Sequence, residues 1–234
     1  MKLEVLPDPE HVARRGATLI AAAARESTSL RGRFAVALSG GTTPWQMLRA
    51  LADEAMPWRD THVLQVDERA APDGAPDRNL GRLRECLLER GLLPPERLHA
   101  MPVADADLAA AAARYARTLA EVAGSPPVLD FVHLGLGPDG HTASLVPGDT
   151  VLEVRDRDVA LTDQPYQGHR RMTLSYPLLD RARQVLWLVT GSSKAEMLQR
   201  LRDGDPTIPA GRVAQTNAVV LADRAAAGRP IKRG

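Results

Sequence analysis

Residues 34–44 decide the fold, and they read Phe-Ala-Val-Ala-Leu-Ser-Gly-Gly-Thr-Thr-Pro. The first five are an apolar run of strand length, and the glycines that follow mark a tight turn. Apolar residues then recur at helical spacing from Trp45 to Leu51, and Pro44 suits the first turn of a helix. The stretch therefore predicts a strand, a tight loop and a helix in succession.

The same order of strand, polar loop and helix recurs along the chain. Strands are predicted at residues 34–38, 62–66, 130–134, 184–190 and 218–221. Helices are predicted at residues 9–26, 45–51, 78–90, 106–123 and 194–203. Strands that alternate with helices predict an α/β fold, with a mostly parallel open sheet and helices on both of its faces. Residues 145–171 break this rhythm, but no linker composition marks a domain boundary there.

Length and composition limit the class of protein. A chain of 234 residues with 44% hydrophobic and 25% charged residues predicts a single packed domain over residues 1–234. Aromatic residues make up 3% and the net charge is +1, so neither a base-stacking platform nor a basic stripe is expected. These values exclude nucleic acid as a partner.

The sequence also predicts the location of the protein. The N-terminus has no basic segment followed by an apolar run, and no run of about 18 apolar residues occurs. We therefore expect a soluble, cytoplasmic protein with no membrane partner. The single cysteine, Cys86, is expected to be a buried thiol on a helix, and the short basic end at residues 230–234 to be a frayed tail.

The glycine loop at residues 39–44 is a candidate phosphate site. Ligands of open α/β sheets bind where loops follow the carboxyl ends of the strands. Glycines such as Gly40 and Gly41 let the backbone approach a ligand, and free N–H groups at a helix start attract anions. The alternative is a simple turn in which Thr42 or Thr43 caps the helix.

A second loop, residues 137–144, places Asp139 two residues before His141. Histidine can take a proton near neutral pH, so His141 is a candidate general base. A metal site is the other interpretation, but Asp139 and His141 lack partner ligands at motif spacing, and His133 falls within a predicted strand. The sequence therefore predicts no metal.

Three further positions carry charge near predicted strand ends. Asp67-Glu68-Arg69 is either a solvated charge run or part of the crevice. Arg171 alternates with Thr173 and is either a surface arginine or a phosphate clamp. The chain has 30 basic residues, of which only Lys2, Lys194 and Lys232 are lysines. Lys194 therefore either reflects ordinary sampling or supplies a compact ammonium for phosphate.

Taken together, five segments resemble the 6-phosphogluconolactonase family. They are the loop Ser39 to Pro44, the triplet Asp67 to Arg69, the segment Gly135 to Leu145, the Arg171-Met172-Thr173 stretch and the helix start Gly191 to Ala195. All five occur in the family's order and cover roughly residues 10–222. The histidine segment is the most specific of them.

The resemblance implies a three-layer, Rossmann-like fold of the kind shared with glucosamine-6-phosphate deaminase. It implies a carboxylic ester hydrolase that converts 6-phospho-D-glucono-1,5-lactone to 6-phospho-D-gluconate, in the oxidative pentose phosphate pathway, without metal or cofactor. The expected partner is thus a phosphorylated sugar lactone, and the expected assembly is a monomer or a small homo-oligomer.

The resemblance also implies roles for individual residues. His141 is expected to activate water, Asp139 or Asp67 to orient His141, and backbone N–H groups or Arg69 to stabilise the oxyanion. The expected phosphate-binding residues are Ser39, Gly40, Gly41, Thr42, Arg171 and Lys194.

Two other functions remain as alternatives. Deaminases of related sequence carry a glutamate five residues after the histidine, where this chain has Val146. A non-catalytic phosphosugar sensor is expected to carry a DNA-binding module, and no segment is long enough for one. A further departure is Arg78, which stands before Asn79 where the lactonase family commonly has serine.

Overall fold

Within residues 1–228, which the computed structural model describes, the chain forms ten strands. They are β1 (Lys2–Leu6), β2 (Phe34–Leu38), β3 (Thr61–Gln65), β4 (Asp67–Arg69), β5 (Leu98–His99), β6 (Phe131–Gly135), β7 (Val159–Leu161), β8 (Arg171–Leu174), β9 (Val185–Val189) and β10 (Ala218–Asp223). Seven of them build a parallel sheet in the order β1-β10-β9-β6-β2-β3-β5. The tail predicted at residues 230–234 lies outside the described residues.

The described α-helices are α1 (Pro9–Arg31), α2 (Thr42–Leu51), α3 (Asn79–Leu83), α4 (Leu108–Ala123), α5 (Tyr176–Asp180) and α6 (Ala195–Arg202). Their ends follow from local chemistry, as α1 illustrates. The Asp8 side chain accepts from the amide of His11 at its start, and Gly32 ends it with φ 71°. No helix in the described part of the chain is both long enough and apolar enough to cross a bilayer.

The sheet separates two apolar layers, and β2 shows how. Its side chains alternate, so that Phe34, Val36 and Leu38 pack with α1 and α2, while Ala35 and Ala37 face α4. Apolar residues of α3 join the first layer, and those of α5 and α6 join the second. The arrangement confirms the predicted three-layer fold with helices on both faces.

A second sheet covers the carboxyl end of β3. It contains β4, β8 and β7, which pair antiparallel in that order. The amide of Leu174 donates to the carbonyl of Val66, which links this sheet to the chain leaving β3. Residues 67–69, interpreted from sequence as either a solvated charge run or part of the crevice, therefore form a strand that pairs with β8.

Several predicted bounds were too short, too long or missing. The first helix extends to Arg31, because no glycine or proline occurs between residue 26 and Gly32, which ends it. The helix predicted at 78–90 is wrong in part, since α3 ends at Leu83 and a π-helical turn occupies Arg84–Leu88. Cys86 is buried in that turn as predicted, and His133 lies within β6 as predicted.

Candidate active site

A crevice of about 190 Å3 opens at the carboxyl ends of β3, β2, β6 and β9, which are neighbours in the sheet. The chain runs outward from β2 in both directions, so this is the switch point where ligands bind in such sheets. The crevice is lined by Ser39, Gly40, Gly41, Asp67, Arg69, Asn79, Gly135, Leu136, Gly137, His141, Ala143, Tyr166, Gln167, Arg171 and Lys194. Of the site residues predicted from sequence, all but Asp139 and Thr42 belong to this lining.

Larger cavities of about 560 and 550 Å3 lie at the amino ends of the strands and beside α4. Neither has a histidine among its described lining residues. The smaller crevice therefore holds the chemistry that the sequence singles out.

His141 is held by Asp139 at the edge of the crevice. Oδ1 of Asp139 lies 2.6 Å from Nδ1 of His141 and also accepts from the His141 amide at 3.1 Å. The hydroxyl of Tyr166 donates to Oδ2 of Asp139 at 3.1 Å. Burial by itself raises the pKa of the Asp139 carboxyl, but the hydrogen bonds from His141 and Tyr166 outweigh burial and lower the pKa. Asp139 is therefore ionised at neutral pH.

Gly137 leaves room for this pair. A Cβ atom on Gly137 would lie 2.0 Å from Nδ1 of His141 and 2.6 Å from Oδ1 of Asp139. Any side chain at residue 137 would thus collide with both members of the pair, so the close approach requires glycine.

The second candidate for orienting His141, Asp67, is held by other groups. Its Oδ2 accepts from Oγ of Ser144 at 2.6 Å, and the residue is buried. In the β4–β8 ladder it stands opposite Thr173. Asp67 lines the crevice, but its side chain is hydrogen-bonded to Ser144 and makes no hydrogen bond to His141. Of the two carboxylates, only Asp139 is in contact with the histidine.

Arg69 of β4 pairs directly with Arg171 of β8, so the two arginines are cross-strand neighbours. Arg69 donates to the carbonyl of Asp77 at 2.9 Å and to Oδ1 of Asn79 at 2.6 Å. Arg171 donates from Nε and Nη2 to the carbonyl of Tyr166, at 3.2 and 3.1 Å. Burial lowers the pKa of Arg171, and the positive charge of Arg69 lowers it further. Two neighbouring cations at one crevice wall favour an anionic ligand.

The glycine loop supplies backbone donors to the same crevice. Gly41 has φ 133° and precedes α2, whose start has no side-chain cap. The amides of Gly40, Gly41 and Thr42 donate to no atom of the described residues. Thr43 does not cap the helix either, because its hydroxyl bonds that of Thr190 at 2.8 Å. The capping alternative is therefore wrong, and the N–H groups are free for an anion.

Ser39 departs from its predicted role as an amide donor. Its N–H donates to Nδ1 of His133 at 3.3 Å. Burial lowers the pKa of His133 to about 3, so the ring stays neutral and can accept this bond. Ser39 lines the crevice, while its amide fixes the start of the loop.

Lys194 completes the cationic set. It ends the short turn Ser192–Lys194 that follows Gly191, whose φ is 91°. Burial lowers the pKa of the Lys194 ammonium, and the nearby charge of Asp139 opposes that effect. The ammonium makes no ion pair within the described part of the chain.

Sequence reasoning missed Tyr166, Gln167 and Asn79 among the lining residues. Tyr166 and Gln167 lie in the irregular loop between β7 and β8, where no periodic pattern places a side chain. Asn79 was noted only as a neighbour of Arg78, yet its Nδ2 donates to the carbonyl of Asp67 at 3.1 Å. The signal available was its place after an Asp-Glu-Arg triplet, all three residues of which it contacts.

Glu68, between two lining residues, has a structural role. It is fully buried and accepts from the amides of Arg69, Asn79 and Leu80, at 2.9, 2.9 and 2.8 Å. Arg78 is also buried and pairs with Asp73, with its Nε 3.7 Å from Oε2 of Glu68. This ion pairing accounts for an arginine at residue 78.

No group of three or more histidine, cysteine, aspartate or glutamate residues within residues 1–228 is arranged to hold a metal ion. The site as described is a set of acid, base and cationic side chains around a crevice.

Comparisons with known proteins agree with this picture. The model of the family described as glucosamine-6-phosphate isomerases/6-phosphogluconolactonase matches residues 7–222. The chain is 37% identical over 203 residues to the 6-phosphogluconolactonase of Nostoc sp., covering 85% of this chain and 84% of that protein.

Solved structures are similar over nearly the whole chain. The 6-phosphogluconolactonase of Trypanosoma brucei is similar with TM-score 0.85 and 27% identity, over 97% of each chain. A monomeric glucosamine-6-phosphate deaminase is similar with TM-score 0.85 and 20% identity, over 98% of this chain and 100% of that chain. At that identity the second likeness shows a shared fold.

Proposed function

The chain belongs to the glucosamine-6-phosphate isomerase/6-phosphogluconolactonase family, and from this premise we propose that it hydrolyses 6-phospho-D-glucono-1,5-lactone to 6-phospho-D-gluconate. The observation that carries the proposal is the crevice itself. It brings the Asp139–His141 pair, with its 2.6 Å contact, together with Arg69, Arg171 and Lys194. Such a set suits a substrate with an ester carbonyl at one end and a phosphate at the other.

His141 is the proposed general base. The ionised Asp139 accepts the proton of Nδ1, which leaves the lone pair on Nε2. Nε2 makes no hydrogen bond with the described residues. It is therefore free to take a proton from a water molecule.

The reaction then follows in two steps. As Nε2 takes the proton, the water oxygen bonds to the lactone carbonyl carbon and the carbonyl oxygen becomes an oxyanion. The oxyanion collapses, the bond from carbon to the ring oxygen breaks, and the ring oxygen receives the proton from His141. The product acid ionises and releases one proton to solvent. Arg69, which lines the crevice, is proposed to stabilise the oxyanion.

The phosphate is proposed to bind the glycine loop together with the nearby basic side chains. The free amides of Gly40, Gly41 and Thr42 are at the start of α2, and Arg171 and Lys194 supply positive charge. Nη1 of Arg171 makes no hydrogen bond within residues 1–228, so its N–H groups remain available for a phosphate oxygen. Binding the phosphate at one end holds the carbonyl at a fixed distance from His141.

The test is proton release from freshly generated 6-phosphoglucono-1,5-lactone, with EDTA present and a blank without enzyme. Fast acid production in EDTA supports metal-independent lactonase activity. A rate equal to the blank contradicts it, and ammonia release from glucosamine 6-phosphate then tests the deaminase alternative. Val146, buried where deaminases of related sequence carry glutamate, favours the first outcome.

The proposed reaction would place the chain in the oxidative pentose phosphate pathway. The cytoplasmic location and the assembly as a monomer or a small homo-oligomer remain predictions from sequence.

A further inference from the structure

We propose that Tyr166 is a positioning residue that joins the Asp139–His141 pair to the Arg171 side chain, so that base and phosphate clamp share one rigid support. The inference rests on the proposed function, since it assigns Tyr166 a part in the same site. Tyr166 lies in the loop between β7 and β8 and lines the crevice.

The hydroxyl of Tyr166 reaches both members of the pair. It lies 3.1 Å from Oδ2 of Asp139 and 3.1 Å from Nδ1 of His141. The Tyr166 ring also meets the imidazole edge to face, with centroids 5.2 Å apart and planes at 64°. Tyr166 therefore contacts Asp139 and His141 through both its polar and its apolar parts.

The direction of the hydroxyl bond follows from the charges. An ionised Asp139 offers only acceptors, and its Oδ1 already takes the Nδ1 proton of His141 at 2.6 Å. With its proton committed to Asp139, Nδ1 has no lone pair to accept from Tyr166. The Tyr166 proton must therefore go to Oδ2 of Asp139. This arrangement satisfies the hydrogen bonds of Tyr166, Asp139 and His141 together.

That bond limits how strongly Asp139 supports His141. A carboxylate that accepts a second hydrogen bond spreads its charge over both oxygens and attracts an adjacent imidazolium less. It also fixes the carboxylate plane, which holds the His141 ring and keeps the lone pair on Nε2. Removing the hydroxyl should therefore stabilise the protonated histidine and loosen its orientation.

The backbone and ring of the same residue hold Arg171. The Tyr166 carbonyl accepts from both Nε and Nη2 of Arg171, and the guanidinium lies over the Tyr166 ring, 5.3 Å from its centroid. These contacts leave Nη1 to face a ligand. One residue thus contacts the proposed base pair with its hydroxyl and the proposed clamp with its carbonyl and ring.

The loop that carries Tyr166 is itself fastened. Tyr166 and His169 form a β-bridge around Gln167 and Gly168, which have φ of 52° and 85°. Nε2 of His169 lies 2.7 Å from Oδ2 of Asp77, and the carbonyl of Asp77 accepts from Arg69. Through Asp77, the loop is therefore connected to Arg69 in the lining of the crevice.

The test compares Tyr166→Phe with Tyr166→Ala. Tyr166→Phe keeps the ring and the carbonyl, so we expect KM to hold, kcat to fall about threefold to tenfold, and the acid limb of the kcat/KM profile to move to higher pH. Tyr166→Ala also removes the ring beneath Arg171, and KM should then rise as well. Tyr176→Phe is the matched control, because its hydroxyl bonds the carbonyl of Pro209 away from the crevice.

A substrate-free readout separates this inference from the proposed function. In protein carrying 15N-labelled histidine, the His141 ring signals, assigned by their loss in His141→Ala, should titrate with a higher midpoint in Tyr166→Phe than in wild type or Tyr176→Phe. An unmoved midpoint, with an unmoved pH profile in an active enzyme, would overturn the role of Tyr166. A wild-type protein that fails to hydrolyse the lactone would refute the proposed function, while the titration would still decide whether Tyr166 acts on His141.

Discussion

A single contact between Oδ1 of Asp139 and Nδ1 of His141, at 2.6 Å, decides which ring nitrogen is left to accept a proton. Asp139 and His141 lie two residues apart, so a short glycine-containing turn builds the pair locally and the rest of the fold only has to present it. A substitution of one of these side chains should therefore change what the crevice does and leave the fold in place.

The first prediction is that His141→Ala lowers kcat by about two to four decades, the usual worth of a positioned acid or base. The measurement is the rate of proton release from the lactone, with circular dichroism to show that the variant is folded. His11→Ala is the control, because His11 is an exposed residue of α1 whose side chain pairs with the neighbouring Asp8 and does not line the crevice. A folded His141→Ala protein with wild-type turnover would remove His141 from the mechanism.

The second prediction concerns the geometry of Arg171. Lysine at residue 171 keeps the charge but lacks the planar guanidinium, which donates to the Tyr166 carbonyl from Nε and Nη2 and leaves Nη1 for a phosphate oxygen. Arg171→Lys should therefore raise KM about tenfold to a hundredfold with a smaller effect on kcat. Steady-state kinetics test this, and Arg170→Lys, at the exposed neighbouring residue, is the control. If both substitutions left KM unchanged, Arg171 would not be the clamp.

At the scale of elements, the start of α3 depends on a buried carboxylate. Glu68 accepts the first amides of that helix, from Asn79 and Leu80, and lies beside the buried Arg78. The strand β4 and the helix α3 are thus joined by one side chain, which also sets the position of Asn79 in the crevice.

The third prediction is that Glu68→Gln lowers the free energy of unfolding by about 3 kcal/mol, because an amide cannot accept all of these bonds and leaves Arg78 with less compensation. Urea denaturation measures the loss. Glu10→Gln, which breaks only the exposed ion pair with Arg14, should cost less than about 1 kcal/mol. Equal effects of the two substitutions would mean that Glu68 is not a structural acceptor.

The elements that the sequence predicts well are those with strong periodicity. The strands near 34–38, 130–134 and 184–190 and the helix over 106–123 are confirmed within a few residues, because each buries a full face or both faces. The strand β1 is missed because it lies at the edge of the sheet. Its residues are only partly buried there, and polar residues interrupt its apolar pattern. The second sheet is missed because β4 and β7 have three residues each, too few to show a pattern.

The site was predictable where residues are close in sequence. Asp139 and His141, the glycines of the 39–44 loop and the triplet 67–69 stand at strand ends, and the topology of parallel sheets brings strand ends together. Tyr166 and Gln167 depend on how an irregular loop folds back, which tertiary contacts determine. That a single domain spans residues 1–234 remains a prediction from sequence.

At the scale of the whole molecule, two half-buried histidines make stability depend on pH. Burial and the positive charge of Arg97 lower the pKa of His62 to about 4, from an ordinary value of 6.5. Burial likewise lowers the pKa of His99, whose Nε2 lies 2.9 Å from Nδ1 of His62. The unfolded chain binds more protons than the folded one between these values, so acid favours unfolding.

The fourth prediction is that the free energy of unfolding is at its full value above about pH 6.5 and falls as the pH is lowered toward about 4, where His62 becomes protonated in the fold. In His62→Gln the slope over this window should be shallower, by at most about 1.4 kcal/mol per pH unit. Urea denaturation at several pH values tests this, with the exposed His11→Gln as control. A slope that His62→Gln leaves unchanged would assign the acid sensitivity to other groups.

The pairing of β4 with β8 has a consequence for how the protein folds. It sets Arg69 opposite Arg171, although the chain builds α3, α4 and three strands between them. Contacts so distant in sequence close a long loop, and such loops form late because their entropy is lost before any contact compensates for it. The helices and the inner strands can therefore assemble first, and during refolding the capacity to bind and turn over an anionic ester should return after the helical signal has recovered.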